Sequence, residues 1–554
     1  MTDPIDDDTR AAIARWIDLD GEHGPALAEL LAQDPAAAAA LFDGRIAFGT
    51  AGLRAEMGPG PRRMNRLVVR QTTAGLMSWL PDGATVVIGY DARHHSHRFA
   101  RDVAEVVAEA GGRALVIDRP APTPVLALAV LDHGANAGVM ITASHNPAAD
   151  NGYKLYLGDG IQLVAPADAE IAAAIDAVAA DDDHPVAVPA AAPDITAPDS
   201  ADRDTVARGT AEIGESRFED ISEAALVAHR AAAVAALSTG HRDVRVLYTA
   251  MHGVGGRHLL DCFEAAGFPP PALVASQFDP DPEFPTAPFP NPEEPGAFDH
   301  AFDTAAAAGA GAVDVILAND PDADRLAVGV LDDGRWRRLS GDEVGALLVD
   351  HVLRHGSAGG DGDGDRGNGG TVVASSIVSS RFIDTLAEAY GATSIRTLTG
   401  FKWVARPIVD RPDDRYAMGY EEALGYCIGD RVRDKDGISA ALVLAELAAG
   451  CLAEGTTLVG RLDELIERHG LWATGQVTVG VGHLDDAGRE EVKATAVSLD
   501  PDEVAGVAVT GREDLAEGRI LPPTSGVVLE LADRSRVIVR PSGTEPKIKA
   551  YLEV

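Results

Sequence analysis

Residues 141–151 read ITASHNPAADN and carry the end of the apolar run Ala137 to Thr142 into a short polar turn. A buried strand that ends in this turn presents Ser144 on short polar backbone beside His145 and Asn146, and Pro147 prevents the strand from continuing. Alone, a serine in such a turn is most often a turn residue and nothing more. Two further turns change that reading. NDPDADR (319–325) follows the apolar run Val313 to Ala318, and GYEEALGY (419–426) follows Tyr416 to Met418.

Working outward, each turn closes the same series of elements. Ala84 to Gly89 reads as a strand, YDARHHS as a loop, Arg98 to Ala110 as a helix, Ala114 to Asp118 as a second strand, and a third strand leads to Ser144. The series repeats from Arg245 to Thr249 through MHGVGG, His258 to Ala266, Ala272 to Ser276 and Val313 to Ala318. A third copy uses Thr371 to Ser375, Arg381 to Tyr390, Ser394 to Leu398 and Tyr416 to Met418. Strands alternating with helices predict three serial α/β sheet domains. Ligands of open α/β sheets bind beyond the carboxyl ends of the strands, so three loaded turns are expected to face one central cleft.

The expected divisions are a helical lead-in of one or two helices over 1–42, α/β domains over 43–205, 206–332 and 333–455, and a smaller α+β domain over 456–554. In the last, Gln476 to Val481, Gly526 to Leu531, Arg536 to Val539 and Ile548 to Val554 alternate as short strands. Phe48 to Gly58 (FGTAGLRAEMG) reads as a loop with Arg54 as its one cation. Ala177 to Asp202 reads as an acidic Pro/Ala-rich linker, and Gly356 to Gly370 as a flexible insertion.

The 554 residues exceed what one hydrophobic core serves. A net charge of -39 argues against nucleic-acid or anionic-membrane partners, which call for a broad basic face. No apolar run approaches the roughly 18 residues of a membrane span. Cys262, Cys427 and Cys451 lack metal-ligand spacing and are too few for a disulfide framework, so a reducing, cytoplasmic setting is expected; the expected assembly is a monomer or homodimer. Lys154, Lys402, Lys435, Lys547 and Lys549 all lie in motif stretches, with Lys493 alone outside, as a small anion in a positive cleft would require.

Asp320, Asp322 and Asp324 alternate just past a buried strand and can converge on one hard cation. An EF-hand loop is excluded: its sixth position would be Arg325 instead of glycine and its twelfth Leu331 instead of glutamate. Three carboxylates leave an octahedral ion short of ligands, so Mg2+ completed by a phosphate oxygen is expected. RPSGTEPK (540–547) combines Arg540, Ser542, Gly543 and Thr544 into a phosphate grip. Of the neighbours Glu421 and Glu422, only one can point into a cleft from extended backbone, where it suits paired sugar hydroxyls. A presented serine, a cation site, a hydroxyl clamp and a separate phosphate grip describe phosphoryl transfer on a phosphorylated sugar. No nucleotide-binding signature is present.

With these motifs in order, from FGTAGLR through GYDAR, TASHNP, NDPDADR, TGFK, GYEEALGY and KDG to RPSGTEP, the chain resembles the α-D-phosphohexomutases, the phosphoglucomutase and phosphomannomutase superfamily, and most of all the branch that also contains phosphopentomutase. The resemblance implies a resting enzyme phosphorylated on Ser144, with that phosphate as a magnesium ligand beside the three aspartates. It further implies a hexose 1,6-bisphosphate activator and intermediate, and sugar phosphates as the small-molecule partners. By the same resemblance Arg325 sits beside the metal and His145 and Lys154 beside the phosphoserine. Glu421 binds sugar hydroxyls, and Arg540, Ser542, Gly543 and Thr544 bind the distal phosphate. Arg54 and Lys402 are expected to meet substrate, and Lys435 or His145 to shuttle the proton. Ala423 stands where many relatives have a serine, which bears on sugar preference. The expected reaction interconverts 1- and 6-phosphates of glucose or mannose. Pentose phosphates are the nearest alternative substrates, and a phosphatase or a non-catalytic sugar-phosphate-binding protein is more remote.

Overall fold

The computed structural model describes residues 5–46, 52–189, 218–356, 369–519, 521–542 and 547–554. Three sheets share one plan. In the first, the strands Asp150–Leu157, Ala137–Ile141, Thr85–Tyr90 and Arg113–Val116 lie side by side, flanked by Leu53–Glu56 and Phe218–Asp220. In the second the order is Arg335–Arg338, Ala327–Asp332, Val315–Ala318, Val246–Thr249, Ala272–Leu273. In the third it is Thr393–Thr397, Thr371–Ser376, Arg415–Glu421, Gly425–Ile428. Each sheet is therefore built on three parallel strands, with the third in sequence beside the first, and in the first sheet Phe218–Asp220 adds a fourth parallel strand at the edge. The chain then reverses into an antiparallel neighbour.

That reversal places the loaded turn. Ala137–Ile141 and Val315–Ala318 are buried along their whole length, as apolar parallel strands covered on both faces must be. Beyond each third strand the chain turns back within a few residues, and a non-glycine residue takes left-handed backbone to do it: Ser144 (φ 52°), Ala323 (φ 55°) and Leu424 (φ 63°). Such conformations cost of order 1–3 kcal/mol and persist only where the surroundings hold them.

The first unit has its own core, built from Leu67, Val86, Ile88, Val103, Val139 and Tyr153, with Ile13 and Leu27 of the N-terminal helices packed into it. The second and third units instead share a single core. The helix Gly437–Ala453 is apolar on nearly every face, which suits an element packed against both sheets' coverings. Asp436 caps it by accepting from the Ile438 and Ser439 amides. The fourth sheet, ordered Thr474–Gly480, Lys547–Glu553, Arg536–Pro541, Val527–Leu531, Val507–Asp514, Glu503–Val504, is antiparallel throughout. It docks on the third unit through Val378, which packs with Leu515, Val528, Ile538 and Tyr551, and through Arg381, which pairs with Glu553 at 2.8 Å.

Several expectations need correction. The lead-in forms three helices, Asp7–Leu19, Gly24–Gln33 and Pro35–Ala40, because Asp34 caps a further turn that starts on Pro35. Within FGTAGLRAEMG, Leu53–Glu56 is a strand paired with Asp150–Tyr153 and not a loop. The supposed linker begins inside the helix Ala167–Ala180, and Val188 beyond it is buried against the lead-in helices. Residues 190–202 and most of the Gly356 to Gly370 stretch lie outside the described residues. Among the described residues no single helix is long and apolar enough to cross a membrane.

Candidate active site

The first and second loaded turns meet. Ser144 Oγ donates to Asp320 Oδ2 at 2.9 Å and lies 3.0 Å from His145 Nδ1, and its amide donates to Thr142 Oγ1 at 2.8 Å. Ser144 and the three aspartates are all buried. The strand after the serine turn carries Lys154 opposite Met140, and its Nζ donates to Asp322 Oδ2 at 2.6 Å and Asp324 Oδ2 at 2.7 Å. Lys435 Nζ stands 3.3 Å from both Asp324 Oδ2 and Asp434 Oδ1. Arg325 donates its amide to Asp320 Oδ1 at 3.0 Å and its guanidinium to Glu293 at 3.1 Å.

One oxygen each of Asp322 and Asp324, Oδ1 in both, is buried without a hydrogen-bond partner. Ligand atoms of all three aspartates lie within 4.8 Å of one another. Orphaned carboxylate oxygens converging in this way fit a hard divalent cation, since leaving them unpaired costs their desolvation. The charges are strongly coupled. Burial, with Asp322 and Asp324 beside it, pushes the Asp320 carboxyl well up. Burial acts the same way on Asp324, but Lys154, Lys435 and Arg325 overcome it and hold that carboxyl down. His145 falls well below the ordinary imidazole value through burial and the nearby Arg325 and Arg54 guanidiniums, so its ring is neutral. Arg54, opposite Gly152 in the sheet, is half-buried close to Asp322 and Asp324, and its buried Nε has no partner.

The neighbours Glu421 and Glu422 separate as extended backbone requires. Burial raises the Glu421 carboxyl while Lys435 and Arg325 oppose it, so it faces the charged cleft. Glu422 turns into the third unit, where Ser376 Oγ and Ser379 Oγ donate to it at 3.0 and 3.2 Å, and burial together with Glu421 raises it to about 7. Ala423 is half-buried at the turn.

Lys402 departs from the cluster: its Nζ donates to the Leu163 carbonyl at 3.0 Å and so ties the third unit to the first. Arg540 hydrogen-bonds Thr399 of the TGFK loop, and the Ser542 amide donates to the Lys547 carbonyl at 2.8 Å. Gly543 and Thr544 lie outside the described residues.

Three contributors escape a reading of the motifs. Arg93 donates to the carbonyls of Ser144 (2.7 Å), Asn146 (2.5 Å), Pro147 (2.8 Å) and Asp150 (3.3 Å), and so holds the serine turn from behind. Thr123 Oγ1 donates to Asp322 Oδ2 at 2.6 Å, and its amide donates to the Asp322 carbonyl at 3.0 Å, joining the first unit to the aspartate turn. Asp434 accepts from Tyr156 at 2.5 Å, Gln162 at 2.6 Å and the Lys435 amide at 2.7 Å. Arg93 had a signal in YDARHHS, and Asp434 one in its place beside Lys435, whereas PTP at 122–124 gives none.

Three α/β units and a smaller fourth thus carry a buried serine hydrogen-bonded to a trio of buried aspartates. The chain belongs to the phosphoglucomutase/phosphomannomutase family: residues 45–182, 225–333 and 340–469 match its alpha/beta/alpha domains I, II and III, and residues 490–554 match its C-terminal domain. It is 40% identical to a probable phosphomannomutase of Haemophilus influenzae over 88% of this chain and 93% of that one. It is 34% identical to a phosphopentomutase of Homo sapiens over 93% and 85%. A crystal structure of a putative phosphomannomutase from Thermus thermophilus shares the fold, with a TM-score of 0.65 at 23% identity over 92% of this chain and 95% of that one. The protein is accordingly an intramolecular phosphotransferase of the isomerase class, in which the Asp320, Asp322 and Asp324 trio can hold a metal.

Proposed function

We propose that the enzyme is a magnesium-dependent phosphohexomutase that interconverts the 1- and 6-phosphates of glucose or mannose through a phosphorylated Ser144 and a hexose 1,6-bisphosphate. The observation that carries this is the hydrogen bond from Ser144 Oγ to Asp320 at 2.9 Å, beside two buried aspartate oxygens without partners. Mg2+ held by Asp320, Asp322, Asp324 and the Ser144 phosphate would supply charge neutralisation at the transferring phosphoryl group.

The chain's own residues do the rest. The left-handed turn at Ser144, held by Arg93, aims Oγ at the aspartates. Arg54, Lys154 and Arg325 surround that oxygen with fixed positive charge, which favours a phosphoryl group in transit. His145 Nδ1, neutral and 3.0 Å away, takes the serine proton when Oγ attacks a phosphate and returns it when the phosphoryl leaves. Lys435, fixed by Asp434 and Asp324, faces the sugar's reacting hydroxyl. Glu421 accepts from two neighbouring sugar hydroxyls. Arg540, Ser542, Gly543 and Thr544 hold the phosphate that is not being transferred. Between half-reactions the bisphosphate turns over, so that its other phosphate meets Ser144.

Ser144→Ala is expected to abolish turnover with the circular dichroism spectrum unchanged, and an unaltered rate would dismiss the mechanism. The kinship to a phosphopentomutase, with Ala423 removing a hydroxyl from the sugar-facing turn, favours pentose phosphates as the second reading. Comparing kcat/KM for glucose, mannose, glucosamine and ribose 1-phosphates decides between them: a ribose 1-phosphate value well above the hexose values would overturn the hexose assignment.

A further inference from the structure

A second cluster of metal-ligating side chains lies outside the cleft. His229, on the helix Ser222–Ala235, meets His258 and Cys262, which stand four residues apart on one face of the helix Gly255–Ala266. His229 Nδ1 is 2.8 Å from His258 Nε2, and Cys262 Sγ is 3.9 Å from that same nitrogen. All three side chains are buried, and their donor atoms lie within 4.8 Å of one another. An independent feature sits behind them: His229 Nε2 is 3.1 Å from Asp436 Oδ2. A carboxylate oxygen only accepts, so the proton of that contact sits on His229 Nε2. With Nε2 turned to Asp436, His229 Nδ1 faces His258 and Cys262.

An imidazole whose outer nitrogen donates to a carboxylate while its inner nitrogen points at a second imidazole and a thiol is the arrangement that orients a metal-bound histidine. We propose that His229 Nδ1, His258 Nε2 and Cys262 Sγ bind a zinc-class divalent cation, separate from the cation of the aspartate trio. Tetrahedral zinc places nitrogen and sulfur donors roughly 3.3–3.6 Å apart. The 2.8 Å contact must then open and the 3.9 Å contact close, each by about half an ångström or less, and a water completes the set. Imidazole and thiolate select a borderline-soft ion over magnesium. Binding releases the Cys262 thiol proton to solvent and displaces the proton held between His229 Nδ1 and His258 Nε2, so that both nitrogens can bind the cation. The Cys262 thiol lies fully buried, so the cation is what makes the thiolate.

The site braces the active-site loop. Asp436 holds His229 with one oxygen and caps the helix Gly437–Ala453 with the other, immediately after Lys435. A cation on His229, His258 and Cys262 fixes two helices of the second unit to that cap.

The test uses the full-length enzyme, purified without chelators or a metal-binding tag. Elemental analysis is expected to find one zinc per chain that survives gel filtration. Cobalt substituted for it should give a near-ultraviolet thiolate-to-cobalt charge-transfer band together with intense visible bands. The band should persist in Asp322→Asn, in which the aspartate trio is broken, and disappear in Cys262→Ser. His258→Gln serves in place of Cys262→Ser should the latter not fold, and should lose the zinc. Absence of both zinc and the thiolate band in the wild type overturns the proposal, as does a band that Cys262→Ser leaves in place. Neither result depends on the mutase reaction.

Discussion

Arg93→Lys tests whether the serine turn is held from behind. The guanidinium makes three short bonds, at 2.5 to 2.8 Å, to the carbonyls of Ser144, Asn146 and Pro147, and its Nε sits 3.3 Å from Asp91. Lysine keeps the charge but not the planar fork, so it can replace one of the three bonds. At about 1.5 kcal/mol for each charge-assisted bond, losing two costs about 3 kcal/mol. Ser144 occupies left-handed backbone, and once the fork is gone the turn can relax out of it. A shift of Oγ by about 1 Å lowers kcat roughly 100-fold, with KM much less affected because the sugar-binding residues stay in place. The assay is a coupled steady-state rate together with urea unfolding. A kcat within about twofold of the wild type in a folded Arg93→Lys enzyme would refute the reasoning.

Lys154→Met leaves Asp322 and Asp324 facing each other without their shared cation, and a buried pair broken on one side costs about 3–5 kcal/mol. The loss in melting temperature should be larger in EDTA than in saturating Mg2+; equal losses would mean that no ion binds these carboxylates. Burial opposes ionisation of Glu446, yet hydrogen bonds from His351, the Ser238 and Thr239 amides and Arg242 hold its carboxyl at about 2. A depressed carboxyl stabilises the fold above its unfolded value near 4.5, and that contribution fades as pH falls toward 2. The gap in urea midpoint between wild type and Glu446→Gln should therefore be widest above about pH 5 and narrow on acidification; a gap that widens instead would contradict this. Asp434→Asn frees Lys435 and breaks its link to Tyr156 and Gln162. It should lower kcat in the wild-type background and have little further effect in Lys435→Met; full additivity would show that Asp434 acts elsewhere.

The sheet plan was legible because Val86 to Ile88, Ala137 to Ile141 and Val315 to Ala318 are apolar runs bounded by turn residues, the signature of covered parallel strands. The antiparallel strand Asp150–Leu157 was missed because its DNG opening reads as turn, although its pairing with two neighbours buries it. Leu53–Glu56 was missed for a related reason, since only that pairing makes a strand of a Gly-rich segment. The shared core of the second and third units was hidden because Gly437–Ala453 shows no polar face from which its orientation can be read. Among the site residues, those proposed to act on substrate stand in dense motifs. Arg93, Thr123 and Asp434 act on backbone or on another unit's side chains, and such partners are set by the tertiary fold. Lys402 shows the converse: a motif lysine whose bond, to the Leu163 carbonyl, holds two units together.

The central claim is that Ser144 carries the phosphoryl group between the two ends of the sugar. Intact-mass measurement of the enzyme mixed with glucose 1,6-bisphosphate, then chased with unlabelled hexose monophosphate under single-turnover conditions, tests it most directly. One phosphoryl group should appear on Ser144, be absent in Ser144→Ala, and leave at least as fast as the enzyme turns over. A phosphoryl group on another residue, or one on Ser144 that leaves more slowly than turnover, would contradict the account.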